Sequence, residues 1–503
     1  MKYLSVAALV LVGAILTGCS KQNNEEPEQP KQDYKVTLTT TVSFASDDEA
    51  SAPARAMGEG VEPIMRALSD GGVKTFAVGD QMAVAYMNTS GNQVKAVTEA
   101  LTAGDITNSG KTATFTVTLT EEPFEFKGNY LYYTYPASIT TADGGIDYSV
   151  LNTQDGTLAS LASNLDCCLA YSNWNGSDDL PALTLTNQFA IGKFNIKNEG
   201  GDNVTSTITG MTVSDGTYTY TVSREAAAGP IYVAMRPFED ETITFTATDG
   251  TNEYVKEVAD KTLEAGKMYP INVTMKNMVV DLSALADDYE AEDGMILTGT
   301  LSGDYKITVA AGATITLRDA IINGTNDENY DWAGINCEDG DATIILEGTN
   351  EVTAFYEDYP AIYIDPNYTL TIKGSGTLTA TGGEYGAAIG GGWEIDCGAI
   401  VIEGGYITAI SDAVASIGKV DEATCTSVTI KSTVGSVNMT NSGVTYNSEM
   451  MSDFIDATAV YMGETNVTSY VSGTVNAFWN YMKGAATGLS AEFSQNNQTL
   501  RIF

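Results

Sequence analysis

From Tyr34 to about Lys276 the chain alternates apolar and polar residues in short runs. KVTLTTTVSF from Lys35, TATFTVTLT from Thr112 and TYTYTVS from Thr217 are rich in Val, Thr, Tyr and Phe, and Gly, Asp and Asn separate such runs. A period of two turns one face of each run inward, so residues 34–276 are expected to form β-sandwich strands.

After Met278 the pattern becomes a repeat. One strand recurs as TITLRDAIING from Thr314, TIILEGTNEVTA from Thr343, TLTIKGSGTLTA from Thr369, AIVIEGGYITAI from Ala399 and SVTIKSTVGSVN from Ser427. With Leu317, Leu346, Ile372, Ile402 and Ile430 as register marks, the steps are 26 to 30 residues. A second motif, AGIN, PAIY, AAIG and ASIG, recurs out of phase, marked by Ile335, Ile362, Ile389 and Ile417. Two marks with one period predict a solenoid. Short β-branched strands and Gly-rich corners predict a right-handed parallel β-helix over residues 277–447, whose coils share one core of Ile, Leu and Val. Residues 448–503 do not repeat and are expected to be a C-terminal cap or small extra unit.

The first residues set the expected compartment. Lys2 and the apolar run Leu4–Leu16 have the layout of a secretory signal, too short to span a membrane. Leu16-Thr17-Gly18-Cys19 resembles a bacterial lipobox, which implies a lipidated Cys19, an outer-membrane lipid anchor and a surface-exposed location. Residues 20–33, polar with Pro27 and Pro30, are expected to be a flexible tether.

Composition narrows the chemistry. The net charge is −40, which disfavours nucleic acid as a partner. There is no histidine, which removes His-based triads, His-ligated zinc and His general bases. No cofactor is required on this reading, although an acid-rich surface suits Ca²⁺.

Five strings in the first half carry a resemblance. They are FAVGDQMAVAY from Phe76, LYYTYPA from Leu131, LTNQFAIGKFNI from Leu185, VAMRPF from Val233 and LEAGKMYPINVTM from Leu263. In this order they resemble the fimbrillin family of pilus and surface subunits from anaerobic bacteria. The resemblance covers about half the chain. It implies two β-sandwich subdomains, a lipoprotein precursor and a role in pili or adhesion. In family pilins, trimming after an early Arg opens a groove that a donor strand from the next subunit fills, a form of strand addition. Arg55 and Arg66 match that Arg in type and rough place; an exposed loop that merely contains Arg is the alternative. A whole region after Lys276 departs from a simple shaft subunit. Within the repeat, GAAIGGGWEIDCG from Gly386 resembles the AAIGGG of carbohydrate-binding β-helix modules of the pectate-lyase-like superfamily. Its glycines are expected at a tight corner where a side chain would clash.

The repeat also brings candidate side chains together. Counting back from the four Ile marks gives Tyr330, Asp331 and Trp332; Glu357, Asp358 and Tyr359; Glu384 and Tyr385; and Asp412. Stacked coils would align them along one edge. Tyr330, Trp332, Tyr359 and Tyr385 are glycan-stacking candidates, and Asp331, Asp358, Glu384 and Asp412 are calcium candidates. A solvated loop ladder with incidental aromatics is the bland alternative. Cys397 and Cys425 are expected on neighbouring coils, as a disulfide or a stacked pair of free thiols.

An enzyme is not expected. Lyases of this fold need a Lys or Arg base, and the cations between Ile296 and Thr440, namely Lys306, Arg318, Lys373, Lys419 and Lys431, do not fall beside the acidic and aromatic ladder. The leading expectation is a lipid-anchored adhesin that binds polysaccharide through its β-helix. The alternatives are a pilus subunit with the β-helix as spacer, and a surface polysaccharide lyase or hydrolase.

Overall fold

A computed structural model of the chain describes residues 34–44, 64–65, 74–124, 130–174, 176, 180–412, 414–420, 422–442, 450–494 and 498–503. The signal segment, Cys19, the tether, Arg55 and Arg66 lie outside the described residues. Two compact units divide the chain.

The first unit draws on residues up to 45, 74–147 and 167–186. Eight strands form one sheet in the order Gln93–Val97, Ala83–Met87, Tyr130–Tyr135, Cys168–Asn173, Leu183–Asn187, Val36–Phe44, Thr112–Leu119 and Ile106–Thr107. The alternation seen in the sequence sets its faces. In Thr112–Leu119, Ala113, Phe115, Val117 and Leu119 are buried. They join Leu38, Val42, Tyr133 and Leu185 in one core. The N-terminal strand Val36–Phe44 is interior, antiparallel to Thr112–Leu119 and parallel to Leu183–Asn187.

The second unit contains residues 148–166 and everything from 187 onward. It begins as a sandwich. A four-stranded sheet runs Ile231–Met235, Ala190–Lys197, Lys267–Thr274 and Ile64–Met65. A six-stranded sheet runs Lys276–Asn277, Glu253–Leu263, Phe238–Thr248, Gly210–Ser214, Thr219–Ser223 and Thr153–Gln154. Phe194 from one sheet and Phe245 from the other meet edge to face at 5.6 Å.

From Val279 the pairing turns parallel, in three ladders. The first includes Thr314–Ile322, Ala342–Glu347, Thr369–Gly374, Cys397–Ile402 and Cys425–Ile430. The second includes Thr349–Thr353, Thr377–Thr381, Tyr406–Ser411 and Ser436–Asn441. In the third, Ile335 pairs with Ile362, Ile362 with Ile389 and Ile389 with Ile417, steps of 27, 27 and 28 residues. All four isoleucines are fully buried in one column. Each repeat gives one strand to each ladder, and inward residues of all three share a single core.

Two expectations about the repeat change. Leu317 does pair with Leu346, but Ile372 pairs with Ile344, so the mark at Leu346 is two residues out of register. Ile344 and Leu346 both face inward, and a period of two cannot distinguish a slip of two. The ladders also run past 447. Ile455–Asp456 pairs in parallel with Ile417–Gly418, and Val460–Met462 with Cys425–Ile430. A 38-residue gap from Ile417 to Ile455 hides this rung from a search at the regular period. Antiparallel strands then close the stack: Thr465–Asn466 on one ladder, Thr499–Ile502 and Ala491–Ser494 on another.

Buried asparagines join successive rungs. Asn350 donates to Glu347 and Thr377 carbonyls at 3.0 Å each and accepts from the Ala320 amide at 2.9 Å. Asn336 donates to the Ile307 carbonyl at 3.1 Å.

Candidate functional site

The loops that enter the third ladder carry the acids and rings singled out in the sequence. The isoleucine column fixes their offsets. Five residues back lie Tyr330, Glu357, Glu384 and Asp412; four back, Asp331, Asp358 and Tyr385; three back, Trp332, Tyr359 and Gly386. Columns therefore mix acids with aromatics.

Backbone hydrogen bonds hold two of these loops against one another. The Tyr385 amide donates to the Glu357 carbonyl at 2.7 Å, and the Gly383 amide to the Tyr359 carbonyl at 3.0 Å. Such approach needs glycine. A Cβ on Gly383 would meet the Glu357 carbonyl oxygen, and one on Gly386 the Tyr359 carbonyl oxygen. At Gly392 it would meet the Asp358 carbonyl oxygen. The Gly-rich string is thus a corner of close backbone stacking, as its composition predicts.

The corner presents a side chain that sequence reasoning passed over. Trp393 follows Gly392, and its amide donates to the Asp358 carbonyl at 3.0 Å. Its side chain is 41% exposed, and its ring meets Tyr385 edge to face at 5.8 Å. A tryptophan in a glycine run is visible in the sequence, but its exposure is not. Trp332 is placed differently. It packs on Phe355 at 5.9 Å and Tyr330 at 5.2 Å against the ladder core, and its Nε1 is buried without an acceptor. Tyr359 is half-buried.

The edge is strongly acidic. Burial, and then the Asp331 charge, raise the Asp358 carboxyl above the usual range. The Tyr385 phenol is raised by its hydrogen bond to Glu384 and by the same carboxylate's charge, and Glu357 and Asp358 add to this. Tyr359 is raised by burial and by Asp331, Asp358 and Glu338. These influences place Asp331, Asp358, Glu357 and Glu384 in one field. Asp412 stands apart, accepting from Ser442 Oγ at 2.9 Å. Among the described residues no three acidic side chains converge to hold a metal ion.

Cations in the repeat are mostly neutralised. Lys306 pairs with Glu338 at 2.8 Å, Lys419 with Asp456 at 3.1 Å and Lys431 with Glu464 at 3.1 Å. Arg318 bridges Glu253 of the sandwich and Glu347 of the first ladder, at 2.7 Å each. Cys397 and Cys425 are direct register partners, both buried and both free thiols.

The first unit carries a separate aromatic surface. Tyr132 and Tyr171 are opposite each other and 53% and 69% exposed, and Tyr130 lies 6.2 Å and 5.7 Å from their rings.

No family model and no curated protein matches the chain. Among solved structures it is similar to a candidate cell adhesion protein from Bacteroides fragilis, at 12% identity over 48% of this chain and 92% of that one, TM-score 0.27. It is similar to a fimbrial assembly protein from Parabacteroides distasonis, at 10% identity over 48% and 91%, TM-score 0.26. A candidate cell adhesion protein from Bacteroides ovatus is similar at 14% identity over 49% and 96%, TM-score 0.26.

Proposed function

We propose that the chain is a lipid-anchored, fimbrillin-like surface adhesin whose repeats wind into a right-handed parallel β-helix, and that it binds glycan on the edge carrying Tyr359, Tyr385 and Trp393. The observation that carries this reading is the Tyr385–Trp393 pair, Tyr385 half-buried and Trp393 exposed, held at a glycine corner among Glu357, Asp358 and Glu384. Rings offer a flat apolar face to a sugar, and carboxylates accept its hydroxyl hydrogen bonds. No catalytic role is assigned, and calcium is not needed for these contacts.

A glycan array on the full chain, run with and without Ca²⁺, tests the reading. Binding to at least one glycan is expected, with Trp393→Ala weakening it about tenfold. Absence of binding, or binding untouched in a Trp393→Ala/Tyr385→Ala double variant, would overturn it. Release of reducing or unsaturated sugar ends would instead favour a lyase or hydrolase.

A pilus subunit is the second reading, favoured by the N-terminal strands. Val36–Phe44 is interior to its sheet, and Ile64–Met65 sits at a sheet edge immediately before Arg66 in sequence. Cleavage after Arg66 would sever both from the rest of the chain; cleavage after Arg55 would sever only the first. Each vacated position would present unpaired backbone to a donor strand. Limited proteolysis with an Arg-specific protease, followed by native mass spectrometry and electron microscopy, tests this: filaments after cleavage support it, and monomers with the severed segment retained count against it.

A further inference from the structure

Cys397 and Cys425 open two successive strands of the first ladder and lie directly opposite each other. Adjacent strands are roughly 4.8 Å apart, which puts their Cα atoms inside the range a disulfide spans, about 4.4–6.8 Å. Cys425 Sγ donates at 3.3 Å to the carbonyl of Gly398, the residue that follows Cys397 in the chain. The remaining described cysteines have different surroundings. Cys337 pairs with Ile364, and Cys167 and Cys168 are chain neighbours in another part of the fold.

We propose that Cys397 and Cys425 are a latent covalent clamp, a dithiol that a small oxidant converts into a disulfide linking two rungs beside the Trp393 corner. Both thiols are buried, but they stand at strand starts next to exposed Asp396 and Thr424. The Thr424 amide donates to Asp396 Oδ1 at 2.6 Å, so breaking this loop-to-loop bond and fraying one residue of each strand opens the pair. Burial pushes the Cys397 thiol up, so both the opening and the loss of its proton limit the rate.

With the azo oxidant diamide the step balances. Cys425 loses its proton and its sulfur adds to one azo nitrogen, which gives a sulfenyl hydrazide. Cys397 loses its proton and attacks that sulfur. The S–S bond forms, the S–N bond breaks, and the azo group leaves as the hydrazine carrying both protons. Two thiols are oxidised by two electrons, and one N=N bond is reduced.

The test uses the full chain treated with diamide, unfolded in an alkylating agent and digested. A peptide joining Cys397 to Cys425 is expected. The ring it closes is 29 residues long by position (397 to 425 inclusive), and the melting temperature should rise by about 5 °C or more, reversibly with dithiothreitol. Cys397→Ser should abolish both the joined peptide and the shift; Cys425→Ala serves as the matching variant if that protein folds poorly. Recovery of Cys397 and Cys425 as separately alkylated residues after prolonged treatment of the wild-type chain overturns the proposal, as does a joined peptide that pairs either one with Cys337.

Discussion

At the acidic edge, single residues feel both burial and the charge of their neighbours. Asp358 is raised by burial and by Asp331, so its folded pKa lies above its unfolded one. A raised carboxyl contributes stability that is fully present below the unfolded pKa and is lost as pH rises through the folded pKa. Asp331→Asn should therefore bring Asp358 back toward the ordinary carboxylate range in an NMR titration. It should also stabilise the chain at pH 7 and leave it unchanged near pH 3, read by denaturant melts at both values. An unmoved Asp358 would show that the two loops are not in one field. Gly386 makes a steric prediction. Alanine there drives a Cβ into the Tyr359 carbonyl, so Gly386→Ala should cost about 1–3 kcal/mol, whereas Gly201→Ala, with open space around it, should cost only what its left-handed φ of 87° demands. Asn350→Ala leaves the Ala320 amide and two carbonyls without their partner in the core, and should cost about 1–3 kcal/mol in urea melts.

At the scale of elements, alternation decides what is buried. In Ala342–Glu347 and Thr377–Thr381 every second residue faces inward, as in the sandwich strands. What differs is the partner: the sandwich strands mostly pair antiparallel, the repeat strands pair with the strand one repeat away. Ile362 is the test position, because it pairs with both Ile335 and Ile389. Ile362→Ala should lose about 2–5 kcal/mol, and amide exchange should quicken in both neighbouring rungs. A loss confined to its own strand would mean the rungs are energetically independent. The column was legible because isoleucine recurs at a steady 27 to 28 residues. Register in the first ladder was legible only to within two residues, since Ile344 and Leu346 are equivalent in pattern and only stacking separates them.

For the whole molecule, the ends of the stack matter most. A parallel stack leaves open edges, and here Thr499–Ile502 covers Ser436–Asn441 with an antiparallel strand. Deleting residues 490–503 should expose that edge along with Val437 and Met439, and the chain should aggregate in sedimentation velocity while the full chain stays disperse. A truncated chain as soluble and as stable as the full one would show that closure comes from elsewhere. The rung at Ile455 and the closing strands were not legible, because the spacing breaks and the closing strands pair in the opposite sense.

The sequence by itself determined that the chain is built of strands, that the second half repeats, and that isoleucines mark one column, because burial imposes periods of two and of one coil on residue type. It also determined the absence of histidine chemistry. Tertiary structure decided which side chains of the edge meet solvent. Trp332 and Trp393 are the same residue type near the same kind of corner, yet one packs on Phe355 and the other stands 41% exposed. That difference depends on loop path and on glycine-permitted contact between rungs far apart in sequence, and hydrophobic pattern records neither.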